Sequence, residues 1–474
     1  MSQALPPGSR LPAVAQLAQM AMNPYGFFEQ NRDRYGDLFT VRLPGQAPAV
    51  AVCEPEAVRT VLTAGYEDLT RFAEGVRFLV GDHSLIFLQD AAHRESRRLM
   101  LPPFHGERMR AYGGDMAHSA DEMIAKMRDG DRRSLQKDLQ DVTLRVILRC
   151  VFGITEERRL GELGRLIVEY LDTMMTPWAY GATLVLTGHR VREFLRARGK
   201  RMQHGHRKPS RWPIQSLADR LGGIDAILLD EIARCRGLRD TERAQRNDIL
   251  SMLVAARFED GSPMPDEVLR DHLMTLLVGG HETTATTMCW ALECALRHPG
   301  TFSRMRAEVD SVMGDGFDPS RVKQLSYIGA VISESMRLYP IAPMISRQLK
   351  VETRLVGHTL PAGTVVAPCV YLIQRDARIW EQPTEFRPER FLSGKASVYE
   401  FFPFGAGVWK CLGAQFADYE MRVVLARLVA ELDLELASRG GTRAMQRGFT
   451  VAPADGMQVR VRRRVKQWAG ARSA

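Results

Sequence analysis

The sequence predicts a mainly α-helical fold with small β-sheets, an α+β protein in one domain spanning 1–474. Three observations lead there. From Glu54 to about Tyr339, apolar residues recur at three- and four-residue spacing, the pattern of helices with one buried face. Segments of β character are short and lie near the start and in the last third. No internal repeat or low-complexity linker divides the chain. With 474 residues, 45% of them hydrophobic, a sizeable core is available.

In chain order, a Pro-rich opening leads into a helix around Tyr25 to Tyr35. Leu38 to Cys53 reads as two strands turned at Pro44-Gly45, inside a β-richer part of about 36–60. The helical body covers about 85–345 and is clearest at Leu139–Val151, Glu267–Leu296 and Val322–Leu338. Short strands return near Arg354–Val370 and Phe449–Val465. Gln374–Phe402, crowded with Pro, Arg and aromatics, reads as irregular.

Net charge is +9, much of it local, in Arg196–Arg211 and in Arg460–Lys466. These runs read as a solvated loop and a solvated strand edge. A basic nucleic-acid or membrane-surface binder is the alternative they offer, but no nucleic-acid motif accompanies them. The N-terminus lacks the layout of a signal peptide, and no segment is apolar for long enough to span a bilayer. The expectation is a cytoplasmic protein with no nucleic-acid partner and no membrane span. Seven scattered cysteines without a CxxC suggest neither a zinc site nor a disulfide framework, and fit a reducing compartment.

The most informative segment is Phe401–Gly413, FFPFGAGVWKCLG. Gly405, Gly407 and Gly413 surround Cys411, so the backbone can adopt positive φ and approach other groups closely. A strongly periodic helix follows, which places Cys411 at a helix N-terminus, where the dipole favours an anionic sulfur. A buried cysteine in a Gly-rich loop is the plain alternative. Gly279-Gly280-His281-Glu282-Thr283-Thr284 interrupts a long apolar helix, where each glycine costs about 1 kcal/mol relative to Ala. The pair offers either a local opening or close helix packing. His281 reads as a structural or surface histidine. Glu334-x-x-Arg337 precedes Pro340, and Phe386-Arg387-Pro388-Glu389-Arg390-Phe391 lies beyond it. His93 and Arg97 sit one helical turn apart, and Arg347 lies after Pro340.

Taken in order, from Leu5-Pro6-Pro7-Gly8 to the final β region, these motifs resemble those of cytochromes P-450. Phe404, Gly407, Cys411 and Gly413 match the family's Phe-x-x-Gly-x-Arg-x-Cys-x-Gly, except that Trp409 stands where the family has Arg. An indole N–H can donate one hydrogen bond but carries no charge.

The resemblance implies the cytochrome P-450 fold, with a long helix over haem b. It also implies a soluble, bacterial-type monooxygenase that hydroxylates a hydrophobic small molecule, such as a fatty acid, terpenoid, steroid or polyketide-like compound of secondary metabolism. Cys411 would be the iron ligand, in a loop with Phe404, Gly405 and Gly413. His93, Arg97, Arg347 and Trp409 would meet the haem propionates. Gly279 and Gly280 would make room for dioxygen, and Glu282 and Thr283 would handle protons. Glu334, Arg337 and Arg390 would form a structural triad. The apolar pocket would draw on Phe72, Val76, Phe78, Leu79, Thr275, Val278, Ile341, Met344, Ile345 and Phe449, with Thr450 in the last segment. Electrons would come from a ferredoxin or flavodoxin with its reductase, meeting Arg97, Arg98 and Lys410, and the chain would act as a monomer. The rival readings are a haem-thiolate peroxygenase or isomerase, and a non-enzymatic haem-binding protein.

Overall fold

A computed structural model describes residues 5–72, 77–106, 108–174, 192–198, 212–394, 396–438 and 440–463. Val76, most of the basic cluster (199–211) and the tail from 464 lie outside them, as does the side chain of Phe78. The chain divides into two compact units. The first comprises Met1–Phe72, Tyr112–Thr143 and Glu282–Ala474; the second comprises Ala73–Ala111 and Leu144–His281.

The described strands all belong to the first unit. Its largest sheet has the order Leu38–Val41, Ala49–Val52, Val365–Pro368, Arg347–Leu349, Leu69–Arg71. Leu38–Val41 and Ala49–Val52 form an antiparallel hairpin, with Gly45 at φ 67° in its turn. Ala49–Val52 runs parallel to Val365–Pro368, and the other pairs are antiparallel. Side chains alternate between two faces, and both faces are covered. Val50 and Val52 pack with Val58, Leu349, Phe402 and Trp409. Phe39, Val41 and Ala51 pack with Phe27, Phe28 and Tyr371 from the segments that flank the sheet.

The arginine-rich strand Gln458–Arg463 is not an edge. It is the middle strand between Arg132–Ser134 and Leu432–Leu436. Val459 and Val461 are buried while Arg460 and Arg462 are exposed. The charges therefore decorate one face of a half-buried strand, which a charge count alone cannot separate from an edge.

The second unit is helical. Pro213–Gly237 lies along Glu157–Met174, and the first half of the long helix Asp266–Arg297 joins them. That helix begins with Asp266 and Glu267 and ends on Arg297, charges that complement its dipole at both ends. Near its start, Asp271 is fully buried and collects charges. Arg270 lies 3.0 Å from it and Arg192 lies 3.5 Å away. The His83 backbone N–H donates to Asp271 at 2.9 Å, and the Thr275 hydroxyl donates to Ser84 at 2.7 Å. These bonds hold the 81–84 turn against the long helix. Gly81, at φ 101°, is required there, because a Cβ would lie 2.1 Å from Asp271 Oδ1. No described helix is long and apolar enough to cross a membrane.

Candidate functional site

Helix Ala414–Glu431 opens at Gly413, immediately after Cys411. The preceding loop folds on itself. The Cys411 N–H donates to Phe404 O at 2.8 Å and the Gly405 N–H to Phe402 O at 2.9 Å. Gly405 and Gly407 both take positive φ, 69° and 65°. At Gly407 a Cβ would also stand 2.6 Å from the Leu62 carbonyl oxygen, so no other residue fits. Cys411 is exposed, whereas the other six cysteines are buried. Burial pushes the thiols of Cys53, Cys289 and Cys294 well above their ordinary range. A thiol held neutral in this way is a poor metal ligand, and of the seven cysteines Cys411 alone is exposed to meet a metal. A groove of about 390 Å³ follows the loop along Leu62, Tyr399, Phe404, Gly407 and Lys410. The pocket residues expected from the sequence do not line it.

Trp409 is buried beneath Arg347, whose guanidinium carbon lies 5.0 Å from the indole ring centre. Tyr66 meets the same indole edge-on at 5.3 Å. Arg347 is buried and donates to Ser346 O at 2.8 Å. No carboxylate lies within ion-pair distance of it among the described residues. Its strand partner is another cation, Arg71. Burial, then Arg71, pushes the Arg347 guanidinium down to about 9. Trp409 Nε1 is likewise buried and meets no acceptor among the described residues. A desolvated cation and an orphaned N–H beside the cysteine loop form a donor set suited to a carboxylate. Tyr66 and Arg71 were not foreseen, and nothing in their local sequence marks them.

The long helix runs unbroken through Gly279–Thr284. The two glycines differ. Apart from its chain neighbours and its own helix backbone, no described atom lies within 4 Å of a Cβ built on Gly279, but a Cβ on Gly280 would come within 2.6 Å of Ile147 Cδ1. Gly279 therefore leaves space, while Gly280 permits close packing against helix Leu135–Cys150. Of the two readings the sequence offers, a local opening or close helix packing, Gly280 has the packing contact on its Cβ side. Glu282 is half-buried and accepts a hydrogen bond from the Thr450 hydroxyl at 2.9 Å. Thr283 accepts one at its carbonyl from the Thr287 hydroxyl, also at 2.9 Å. His281 is buried, as a structural histidine would be.

In the second unit, His93 is fully buried and Arg97 half-buried, one turn apart on helix Asp90–Met100. Arg98 is exposed and 3.8 Å from Glu259. In the first unit, Lys410 is exposed.

Glu334 and Arg337 have no exposed side-chain surface and form a two-pronged pair of 2.7 and 2.8 Å. Arg337 also donates to the carbonyls of Gln374, Pro383 and Glu385. Glu334 accepts from Arg390 at 3.3 Å and from the Arg387 N–H at 2.8 Å. Every face of the buried pair is thus bonded, the condition under which such a pair survives desolvation. The 374–402 segment looked irregular because its carbonyls serve this arginine instead of a strand ladder.

The pocket candidates divide between the units. Leu79 and Val278 are buried and Thr275 is half-buried in the second. In the first, Ile341 O accepts from the Val451 N–H at 2.8 Å, which brings Ile341 beside the Phe449-Thr450 turn. Ile345 packs with the Trp409 cluster and Met344 with the cluster around Tyr371, and Phe72 is half-buried.

A helical body with a mixed sheet and a thiolate-presenting loop defines the haem-thiolate class. The family model for cytochrome P-450 matches residues 5–459. The chain is 34% identical over 464 residues, 97% of its length and 92% of the relative's, to cytochrome P-450 135B1 of Mycobacterium tuberculosis. It is 31% identical to cytochrome P-450 137 of the same organism, over 90% of this chain and 84% of that one. Both relatives carry those names provisionally. Among solved structures, a cyanobacterial CYP120A1 with retinoic acid bound superposes with a TM-score of 0.79 at 20% identity, over 98% of this chain and 100% of that one. That likeness establishes the fold. This chain belongs to the cytochrome P-450 family. It is a monooxygenase and its cofactor is haem b. Cys411, Arg347 and Trp409 fit that group, because an exposed thiol suits iron and two buried donors suit its carboxylates.

Proposed function

We propose that this monooxygenase holds haem b through the Cys411 thiolate and oxidises a hydrophobic small molecule of fatty-acid, terpenoid, steroid or polyketide type. The observation that carries the reading is Cys411 itself, the single exposed cysteine, in a loop whose tight path only glycine allows at Gly407. Bound haem supplies reductive activation of dioxygen. The protein supplies the rest. The helix opening at Gly413 points its positive end toward the sulfur. Arg347, Trp409 Nε1, His93 and Arg97 donate to the propionates. Glu282, steadied at Oε1 by Thr450, carries a proton to the Thr283 hydroxyl, which passes it toward the oxygen site left open by Gly279. Glu334, Arg337 and Arg390 hold the loop's surroundings rigid and take no part in the chemistry.

Ile341, Met344, Ile345 and Phe449 favour an apolar substrate that binds chiefly by buried area. In keeping with the family resemblance, a ferredoxin or flavodoxin with its reductase delivers electrons, meeting Arg97, Arg98 and Lys410. The whole chain works as one catalytic domain, as a monomer in the cytoplasm.

The test is the absorption spectrum of the reduced protein under carbon monoxide, for wild type and Cys411→Ser. A strongly red-shifted Soret band that the substitution abolishes is expected. A spectrum indifferent to the substitution overturns the ligand assignment. Titration with fatty acids, steroids and terpenoids then reads the substrate class from the Soret shift, and peroxide-driven turnover without any reductase would favour the peroxygenase alternative.

A further inference from the structure

Four aromatic rings stand in series in the unit that carries Cys411. Trp290, on the long helix, stacks on Tyr339 with ring centres 4.4 Å apart and planes 6° from parallel. Tyr339 meets Tyr25 at 6.1 Å. Tyr25 stacks on Tyr371 at 4.3 Å and 9°. Tyr371 ends the series, and its hydroxyl donates to Glu29 Oε1 at 2.6 Å. Glu29 is exposed, whereas Trp290, Tyr25 and Tyr371 are buried. Trp290 lies seven residues beyond Thr283, about 10 Å along the helix axis.

Tryptophan and tyrosine are among the side chains most readily oxidised by one electron, and face-to-face stacking couples neighbouring rings. The proton partners differ along the series. Trp290 Nε1 donates to Val451 O at 2.9 Å, and the Tyr25 hydroxyl donates to Pro340 O at 3.1 Å. A peptide carbonyl is too weak a base to keep either proton. Tyr371 alone of these donates to a carboxylate, and that carboxylate reaches water. Arg375 lies 5.7 Å from the Tyr339 ring and 5.0 Å from the Tyr371 ring. Its positive charge disfavours a radical cation on either, so a ring there loses its electron most easily when its proton leaves too. Burial also holds the phenols of Tyr25, Tyr339 and Tyr371 above their ordinary range, which closes the route through phenolate.

We propose that Trp290, Tyr339, Tyr25 and Tyr371 form a hole-transfer chain that carries surplus oxidising equivalents away from the haem site to Tyr371, with Glu29 receiving the phenolic proton. The proposal rests on the reading that haem is held at Cys411. Peroxide, formed when oxygen reduction misses the substrate, is the oxidant. One peroxide takes two electrons and two protons and leaves as two waters. Each passage along the chain supplies one electron from Tyr371 and moves one O–H proton to the Glu29 carboxylate. No bond to the ring forms, and a small thiol or ascorbate-type reductant returns one electron and restores the phenol. The result is protection of the haem and its pocket during unproductive turnover.

The experiment uses the ferric holoenzyme without substrate, mixed with hydrogen peroxide or a peracid and freeze-quenched for electron paramagnetic resonance. Each variant is first checked for the Cys411-dependent spectrum under carbon monoxide, so that a failure of haem ligation is seen separately. Wild type is expected to give a tyrosyl radical, and a nitroso spin trap is expected to label Tyr371. Tyr371→Phe keeps the ring and the stack, yet is expected to remove that signal and to bleach the haem several-fold faster. Glu29→Gln keeps the contact and removes the base, and is expected to weaken the tyrosyl signal. With haem ligation intact, a tyrosyl signal and bleaching rate unchanged by Tyr371→Phe overturn the chain.

Discussion

Thr450 donates a 2.9 Å hydrogen bond to Glu282 Oε1, across 168 residues of sequence. The same hydroxyl lies 3.2 Å from Arg447 O. It has one proton, and a carboxylate is the stronger acceptor, so the bond to Glu282 prevails. Thr450 thereby fixes how Glu282 is turned. Thr450→Val should leave Glu282 ionisable but less well aimed. A hydrogen bond to a charged group contributes about 1.5–3 kcal/mol, so oxygenation should slow by about tenfold or more. Peroxide released per dioxygen consumed should rise. Thr450→Ser should restore coupling, which a purely structural role would not require. Glu282→Gln should cost about a hundredfold or more, as loss of a proton-transfer group does. Product, peroxide and dioxygen measured together check all three variants.

Arg347 above Trp409 sets the second expectation. A buried guanidinium with a second cation as strand partner destabilises the fold until an anion joins it. A guanidinium stays charged across the ordinary pH range, so the haem-free protein carries this cost throughout, and Arg347→Leu should stabilise the haem-free form by about 1 kcal/mol or more. In the holoprotein a propionate offsets the charge, so Arg347→Leu should instead speed haem transfer to apomyoglobin by about tenfold or more. Unfolding curves of the haem-free form and haem-transfer rates check the pair.

Gly280 and Ile147 give a packing test. A Cβ at 280 would overlap Ile147 Cδ1 at 2.6 Å and crowd Cγ1 at 3.2 Å. Gly280→Ala should destabilise by about 1–3 kcal/mol, the usual cost of overpacking, and Ile147→Val should recover part of it. Gly279→Ala meets no such overlap and should stabilise by up to about 1 kcal/mol through helix propensity, and act on oxygen binding. Denaturation midpoints of wild type, the three single variants and the Gly280→Ala/Ile147→Val double variant separate the two roles. Full additivity of Gly280→Ala and Ile147→Val would deny the contact.

These cases mark how far the sequence carries. Helical periodicity gave the long helix within a residue, Glu267–Leu296 against Asp266–Arg297. The spacing of Glu334, Arg337 and Arg390 named a cluster whose members do meet. What stayed hidden depends on partners distant in the chain. Thr450 sits beside Phe449, but only folding sets its hydroxyl on Glu282. Arg71 and Tyr66 have no motif, because their meaning comes from strand register and from Trp409. Gly279 and Gly280 are the same residue type, and only Ile147 distinguishes them. The arginines of Gln458–Arg463 read as an edge, because charge shows a solvated face and not how many strands flank it.

His272 carries the last prediction. It is fully buried on the long helix, and neither ring nitrogen meets a hydrogen-bond partner among the described residues. Burial first, then His83, pushes it down to about 3. The unfolded chain binds its proton near pH 6.5, so between 6.5 and about 3 the unfolded state holds more protons than the folded one. The stability tied to neutral His272 is full above pH 6.5 and drains as pH falls, by up to about 1.4 kcal/mol per unit. Asp225 and Asp271, in the same unit, work in the opposite sense. Burial raises both, so the folded state binds their protons first. A pH curve of wild type alone therefore mixes the two effects. The difference between wild type and His272→Leu isolates one. That difference should be nearly constant from pH 8 to 7 and should grow by about 2 kcal/mol in favour of the variant by pH 5. A difference that stays flat to pH 5 would mean that His272 binds its proton equally well folded and unfolded, and that the ring is not desolvated where the fold puts it.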